Sequence, residues 1–202
     1  MAKVSVEEAR RQWGEAETFE RLCALTAGFI AGEVPFFPTW TAQTVDKETS
    51  PLTDYLVAFN RAGFLTLVSQ PGEPFRPGFD GHCWGQRAFV CGLAQEPVAA
   101  RIERLTLRTD LQITVYRPGA AGGYRTPVVS RGSRACMWVG DAFFSELEHF
   151  EDCCNRRAMK TLRAACCVSV VDLCWGRREH LWSILAQELC PPWTPEHEAR
   201  SR

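Results

Sequence analysis

The sequence predicts one domain of the α/β or α+β class, in which helices cover a mixed sheet of about five or six strands. Its 202 residues suffice for one core that buries about 70% of the surface of the unfolded chain. Segments with helical spacing of apolar residues are interspersed with short apolar strands. A nearly continuous apolar run from Cys166 to Leu173 is typical of a central strand covered on both faces. We expect residues 1–193 to form the domain and residues 194–202 to be a disordered tail.

A long helix is predicted at the N-terminus. Ser5 and Glu8 form a capping-box pattern, and apolar residues then recur at helical spacing as far as Gly32. Gly14 is a point at which this helix can bend.

The second helix begins at Ser50 and Pro51 and ends at Gly63, directly before a strand that begins at Phe64. The next strand covers Ala88 to Cys91, and a third helix begins at Pro97. Further strands are predicted at 111–116, 127–130, 135–139 and 166–173, with helices from Asp141 and over 179–189.

The glycine-rich segment 117–127 invites comparison with a phosphate-binding loop. Such a loop opens a helix, whereas a strand is predicted to follow here. A flexible hairpin connection is therefore the favoured interpretation.

Composition excludes several classes of protein. The net charge is −1, with 46% hydrophobic and 23% charged residues, which does not indicate a nucleic-acid binder. The longest apolar run falls well short of the roughly 20 residues of a membrane helix, and the N-terminus is a charged helix rather than a signal peptide. We therefore expect a cytoplasmic protein without a membrane partner.

Ten cysteines could form a disulfide or metal framework, but their spacing argues against both. The chain has two adjacent pairs, Cys153/Cys154 and Cys166/Cys167, and no C-x-x-C. We expect reduced structural thiols, no metal site and no cofactor. Glu146, His149 and Cys153 have a spacing that can place three donors on one helical face, but no further ligands are apparent.

The most informative stretch is 59–93, where a polar, turn-rich insert separates the first two strands. Ser69 and Gln70 begin it within a Ser-Gln-Pro-Gly sequence, which predicts a type II turn, and Gln86 and Arg87 end it. An amide and a guanidinium are suited to hold a carboxylate, a phosphate or a nucleobase edge. We expect Arg87 to contribute ligand affinity. The alternative is that these groups satisfy the backbone of the loop.

Asp172 and Arg177 follow the predicted central strand, so they should lie near the SQPG sequence at one end of the sheet. They could line a ligand pocket there, or form a salt bridge that closes the turn.

The motifs NRAGF, T-x-x-SQPG, QRA and WGR, with Glu48 and Thr49 before the second helix, resemble an uncharacterised actinobacterial family of single-domain proteins. The resemblance extends over most of the chain from Trp13 onward. The family has no assigned activity, so it implies kinship and no function.

Three functions remain open. The first is a small enzyme acting on an amino-acid-like or nucleotide-like metabolite in a pocket around the SQPG sequence. The second is a non-catalytic module that contacts a protein or nucleic-acid partner through the 69–85 loop with Phe75, Phe79 and Trp84. The third is a thiol- or metal-dependent protein, which requires convergence among Cys83, Cys136, His149, Cys153 and Cys154. For the first, the candidate catalytic residues are Ser69, Gln70 and Asp172, and the candidate binding residues are Glu48, Asn60, Gln86, Arg87 and Arg177.

Overall fold

Two four-stranded antiparallel sheets, rather than the single sheet predicted, organise the chain. The computed structural model describes residues 4–39, 42–142 and 147–192. Within them the α-helices are α1 Val6–Glu15, α2 Phe19–Ile30, α3 Thr53–Arg61, α4 Glu96–Glu103, α5 Glu148–Glu151, α6 Arg156–Arg163 and α7 His180–Leu189. The strands are β1 Phe64–Gln70, β2 Glu73–Pro77, β3 Cys83–Gln86, β4 Phe89–Ala94, β5 Leu111–Tyr116, β6 Thr126–Arg131, β7 Arg134–Val139 and β8 Cys166–Asp172. Short 3-10 helices at Ser50–Leu52 and Arg104–Leu107 precede α3 and follow α4. The predicted mixed α+β class is confirmed.

The first sheet has the strand order β1-β4-β8-β5. Every residue of β8 is buried between β4 and β5, so the predicted central strand is confirmed. Alternate positions of the sheet face a large core formed with the helices, because a strand presents successive side chains to opposite faces.

The second sheet, of order β2-β3-β6-β7, contains the insert between β1 and β4. The sequence predicts a loop for this insert, but β2 and β3 form a hairpin that pairs with β6. A small core of Phe89, Cys91, Val128 and Val171 packs between the two sheets. Segment 117–125 links β5 to β6 and so crosses between the sheets, which corrects the predicted hairpin connection.

The chain forms two N-terminal helices where the sequence predicts one. Ala16 is extended, and the Thr18 side chain caps α2 by accepting from the backbone N–H of Arg21 at 3.2 Å. Asn155 donates to the carbonyls of Gly14 and Ala16 at 2.9 and 2.8 Å. The break is therefore stabilised by a second cap and by a partner 139 residues away, which a local pattern does not reveal.

The described segments contain no helix that is long and apolar enough to cross a membrane. Two regions with predictions fall outside them: residues 143–146, at the start of the helix predicted from Asp141, and the tail from residue 193 onward.

All ten cysteines are free thiols. Burial raises the pKa of Cys23 and Cys91 to about 12, which suppresses thiolate formation. Across the three described ranges no group of three metal-ligating side chains comes together, and Glu146 of the predicted helical triplet lies in the gap at 143–146.

We expect thiol reagents to separate the cysteines by exposure. In the native, freshly reduced protein only the exposed thiols Cys83, Cys136 and Cys174 should react quickly, because the buried thiols are both inaccessible and protonated. In denaturant all ten should react. Counting with a chromogenic disulfide under both conditions checks this, and fewer than eight reactive thiols in denaturant would show that bridges had been overlooked.

Candidate functional site

A cavity of about 270 Å³ opens between α2, α3 and the outer edge of β1. We call it the helix–strand cavity. Apolar side chains form half of its lining, and the other half is polar or acidic. The residues that line it are Thr26, Phe29, Ile30, Phe37, Val45, Asp46, Glu48, Thr49, Leu56, Thr66, Leu67, Val68, Ser69 and Gln70. Three residues predicted from the sequence, Glu48, Ser69 and Gln70, therefore lie in one cavity.

The edge position of β1 and a bulge within it expose this strand to the cavity. Thr66 pairs with Gly92 and Val68 with Cys91, so Leu67 is an extra residue in β1. A bulge disturbs the strict alternation of side chains. As a result five consecutive residues, 66–70, line the cavity.

Two polar groups of this strand end have unused hydrogen-bonding capacity. The Gln70 Oε1 atom is buried, and no donor for it exists among the described residues. The Ser69 hydroxyl likewise makes no hydrogen bond within the described chain. A buried acceptor without a partner is unfavourable, so Gln70 Oε1 gains a hydrogen bond if a change of rotamer turns it towards a ligand donor.

Asn60 lies outside the cavity lining and connects α3 to β1. It is completely buried, and its Nδ2 donates to the Leu56 carbonyl at 2.8 Å and to Thr66 Oγ1 at 2.7 Å. Its Oδ1 accepts from the Thr66 N–H at 3.1 Å. These contacts fix the start of β1 directly after the helix, with Gly63 supplying a positive φ of 89°.

The turn after β1 is held by a close approach of two backbones. Gly72 does not have the positive φ of the predicted type II turn. Instead, a Cβ at this position would lie 2.3 Å from the Arg177 carbonyl oxygen, so a glycine is needed for space. Gln86 secures the same turn by donating from Nε2 to the Pro71 carbonyl at 2.6 Å.

The guanidinium of Arg87 binds the backbone of two other segments. Its Nε donates to the Leu173 carbonyl at 3.0 Å and its Nη1 to the Pro127 carbonyl at 2.8 Å. The group also lies 4.3 Å from the ring centroid of Trp175. Desolvation lowers the pKa of Arg87 from its ordinary value. These contacts match the alternative in which Arg87 satisfies loop carbonyls, and none of them is in the helix–strand cavity.

The backbone of Arg177 lies against the SQPG turn at Gly72, as predicted for Arg177, and its side chain pairs with Asp172. The Asp172 side chain is completely buried and accepts from Arg177 Nε at 2.5 Å and Nη2 at 2.7 Å, and from the Cys174 N–H at 2.9 Å. Arg177 also forms an ion pair with Asp110 at 2.8 Å. This bond is the largest cause, and a hydrogen bond with His180 the second, of the lowering of the pKa of Asp110 to about 2. Hydrogen bonding to Asp172 raises the pKa of Arg177. The arrangement is the salt bridge that closes the turn, and it does not reach the cavity.

The sequence interpretation missed much of the cavity. Asp46 and Thr49 flank Glu48 on its rim, and the C-terminal turns of α2 form its apolar floor. The two carboxylates in V-D-K-E-T, directly before the second helix, were a usable signal for a polar rim. The contribution of α2 had no such signal.

We expect Arg87→Lys to destabilise the fold. Lysine keeps the charge but cannot donate to two carbonyls from a planar fork, and losing hydrogen bonds from a charged donor costs about 1–3 kcal/mol. For a chain of this length that loss lowers the Tm by about 2–12 °C.

The matched control is Arg76→Lys, which changes an exposed arginine of β2 whose ion pair with Glu73 spans 3.8 Å. Parallel thermal melts check the pair. Equal melting temperatures for Arg87→Lys and the parent protein would contradict the structural role.

We expect Arg177→Gln to destabilise the protein far more than Arg178→Gln. Removing Arg177 leaves the buried Asp172 carboxylate without its cation, which costs about 3–5 kcal/mol. Arg178 is its sequence neighbour, and its exposed bond to Glu73 is worth less than about 1 kcal/mol. Urea unfolding measures both, and adding Asp172→Asn to Arg177→Gln should restore part of the loss. Similar losses for the two single variants would rule out the buried pair as a main stabilising contact.

The family model described as "Domain of unknown function (DUF6919)" matches residues 8–191. The match spans the chain from α1 to α7 and so includes the helix–strand cavity and the contacts of Arg87, Asp172 and Arg177. No curated protein matches the chain.

Proposed function

The chain belongs to the family of proteins with domain of unknown function DUF6919, and we propose that it binds a small molecule in the helix–strand cavity. The observation that carries this proposal is the meeting of an apolar floor with unpaired polar groups in one concave site. Phe29, Ile30 and Leu56 are buried in the floor, while the buried Gln70 Oε1 has no partner in the described chain. Ligand sites are typically apolar clefts with a few polar groups that fix orientation.

The volume indicates a small ligand. A cavity of about 150 Å³ holds one benzene molecule, so about 270 Å³ accommodates one ring with a short substituent. The amino-acid-like or nucleotide-like ligands predicted from the sequence depended on Gln86 and Arg87 to hold an anion. Both side chains bind backbone carbonyls instead, so the proposal rests on the cavity alone.

An enzymatic role is compatible with this site through Ser69 and Gln70. Ser69 supplies a hydroxyl at the end of β1, and Gln70 supplies an amide beside it. Asp172 does not take part in this arrangement, because its carboxylate is sequestered by Arg177. Binding is therefore the function that the geometry favours, and a reaction on the bound molecule would depend on these two residues.

We further propose a cytoplasmic location. Ten free thiols suit a reducing compartment, where disulfides are rare. The actinobacterial origin implied by the resemblance stays a prediction.

A second candidate function is contact with a partner through the β2–β3 hairpin. Phe75, Phe79 and Trp84 are exposed on it, and Arg76, Trp84 and Arg131 lie side by side across β2, β3 and β6. The Arg131 guanidinium is 5.6 Å from the Trp84 ring. Aromatic residues flanked by arginines favour a single-stranded nucleic acid, whose bases stack on such rings. Asp80 and Glu73 already pair with Arg131 and Arg76, which weakens this candidate.

We expect the variant Val68→Trp to abolish ligand retention without unfolding the protein. Val68 lines the cavity and is 43% exposed, so a larger ring can fill the opening without entering the core. Native mass spectrometry of protein purified from its source cells should show a small-molecule adduct in the parent protein that Val68→Trp lacks.

The control is Leu107→Trp, the same kind of change at an exposed position after α4 that does not line the cavity. An adduct kept equally by Val68→Trp would place the ligand elsewhere. Retention of a nucleic acid, lost on Trp84→Ala, would move the function to the hairpin.

A further inference from the structure

We propose that the helix–strand cavity is selective for organic cations: small molecules with an apolar body and a protonated amine. This inference rests on the proposed function, since it names the ligand class of the same cavity. Three independent features support it, namely the charge of the lining, the unpaired acceptor of Gln70 and the apolar composition of the floor.

The charge of the lining is entirely negative. Asp46 and Glu48 are its two ionisable residues, and no lysine, arginine or histidine of the described chain lines the cavity. Neither carboxylate has an ion-pair partner among the residues described. Lys47 lies between them in sequence but lines an adjoining depression of about 250 Å³ together with Arg76, and Glu48 lines that depression as well as the cavity. A ligand anion would therefore meet two like charges, whereas a cation would meet two opposite ones.

The unpaired acceptor is Gln70 Oε1. An ammonium group has three donors and no acceptor, so it suits an unpaired carbonyl oxygen such as this one. Hydrogen bonds from a charged donor are stronger than those from a neutral one. The amine head is thus expected at the level of Gln70, with the carboxylates of Asp46 and Glu48 at the mouth.

The apolar floor of the cavity favours a ligand with an apolar body. Phe29 and Phe37 stack with ring centroids 5.3 Å apart, and Ile30 and Leu56 complete an apolar surface. None of the four side chains that form this floor is charged. An alkyl or aryl group buried there gains the hydrophobic contribution, while a zwitterionic amino acid would bring a carboxylate towards Asp46 and Glu48.

Titration of the full chain with matched ligands tests the charge preference. Two bodies, phenylethyl and n-hexyl, are each used as the amine, the alcohol and the corresponding carboxylate, at neutral pH by isothermal calorimetry. We expect the amines to bind at least about tenfold more tightly than the alcohols, and the carboxylates to bind most weakly. About 0.5 M salt should weaken the amines and leave the alcohols unchanged.

Variants assign the effect to the named groups. Asp46→Asn and Glu48→Gln should each lower amine affinity about two- to fivefold without changing alcohol affinity, because both carboxylates are exposed. Glu20→Gln removes the same charge from the opposite end of α2 and should change neither.

Each outcome separates the two proposals. Alcohols or carboxylates that bind as tightly as the amines, and lose affinity in Val68→Trp, would overturn the cation preference and keep the cavity as a binding site. No binding by any of the six ligands would overturn the cation preference, and an adduct in native mass spectrometry that Val68→Trp lacks would still support the cavity as a binding site. Amine binding that Glu20→Gln weakens as much as Glu48→Gln would also overturn the assignment, because it would reflect net charge alone.

Discussion

The fold depends on the close approach of two turns, the one after β1 and the one after β8. Gly72 lies against the backbone of Arg177, and a Cβ at Gly176 would lie 2.6 Å from Pro74 Cα. Each turn therefore needs a glycine where it touches the other. The Gly176 N–H also donates to the Gln86 carbonyl at 3.1 Å. The turn after β1 leads into the second sheet, and Gln86 ends β3 just before the chain returns to the first sheet at β4. The contact between these segments therefore holds the second sheet in place against the first.

The same constraint prepares the cavity. β1 is fixed at its beginning by Asn60 and at its end by the turn that Gln86 and Gly72 secure. Between these points its inner edge pairs with β4, while its outer edge has no strand partner in the described sheet. The bulge at Leu67 interrupts the regular pairing of this strand, and residues 66–70 line the cavity. A strand held at both ends can present polar groups such as Gln70 at a defined depth without help from a ligand, which is the condition for a preformed site.

The sequence predicts the elements well and their assembly less well. The burial of β8 follows from its own apolar composition, and the start of α3 follows from Ser50 and Pro51. The partition into two sheets does not follow, because an alternating or apolar pattern reports burial and not which edges pair. The role of Arg87 is equally hidden: its partner Leu173 lies 86 residues away and contributes only a backbone carbonyl, a group that every residue has.

Polar residues in this chain fall into two groups that a sequence cannot distinguish. Asn60, Arg87 and Asp172 have their hydrogen-bonding groups engaged by backbone or by an opposite charge, whereas Gln70 and Glu48 do not. Replacing a side chain whose polar groups are already hydrogen-bonded destabilises the protein, because its partners are left unsatisfied. Replacing a side chain with unused hydrogen-bonding groups costs little stability, and such groups are the ones available to a ligand. Arg87 and Asp172 lie at the contact between the sheets and Asn60 fixes the start of β1, whereas Gln70 and Glu48 line the cavity, so ligand binding and fold stability reside in separate side chains. Changes in ligand preference can therefore arise at the rim of the cavity while the contact between the sheets stays intact.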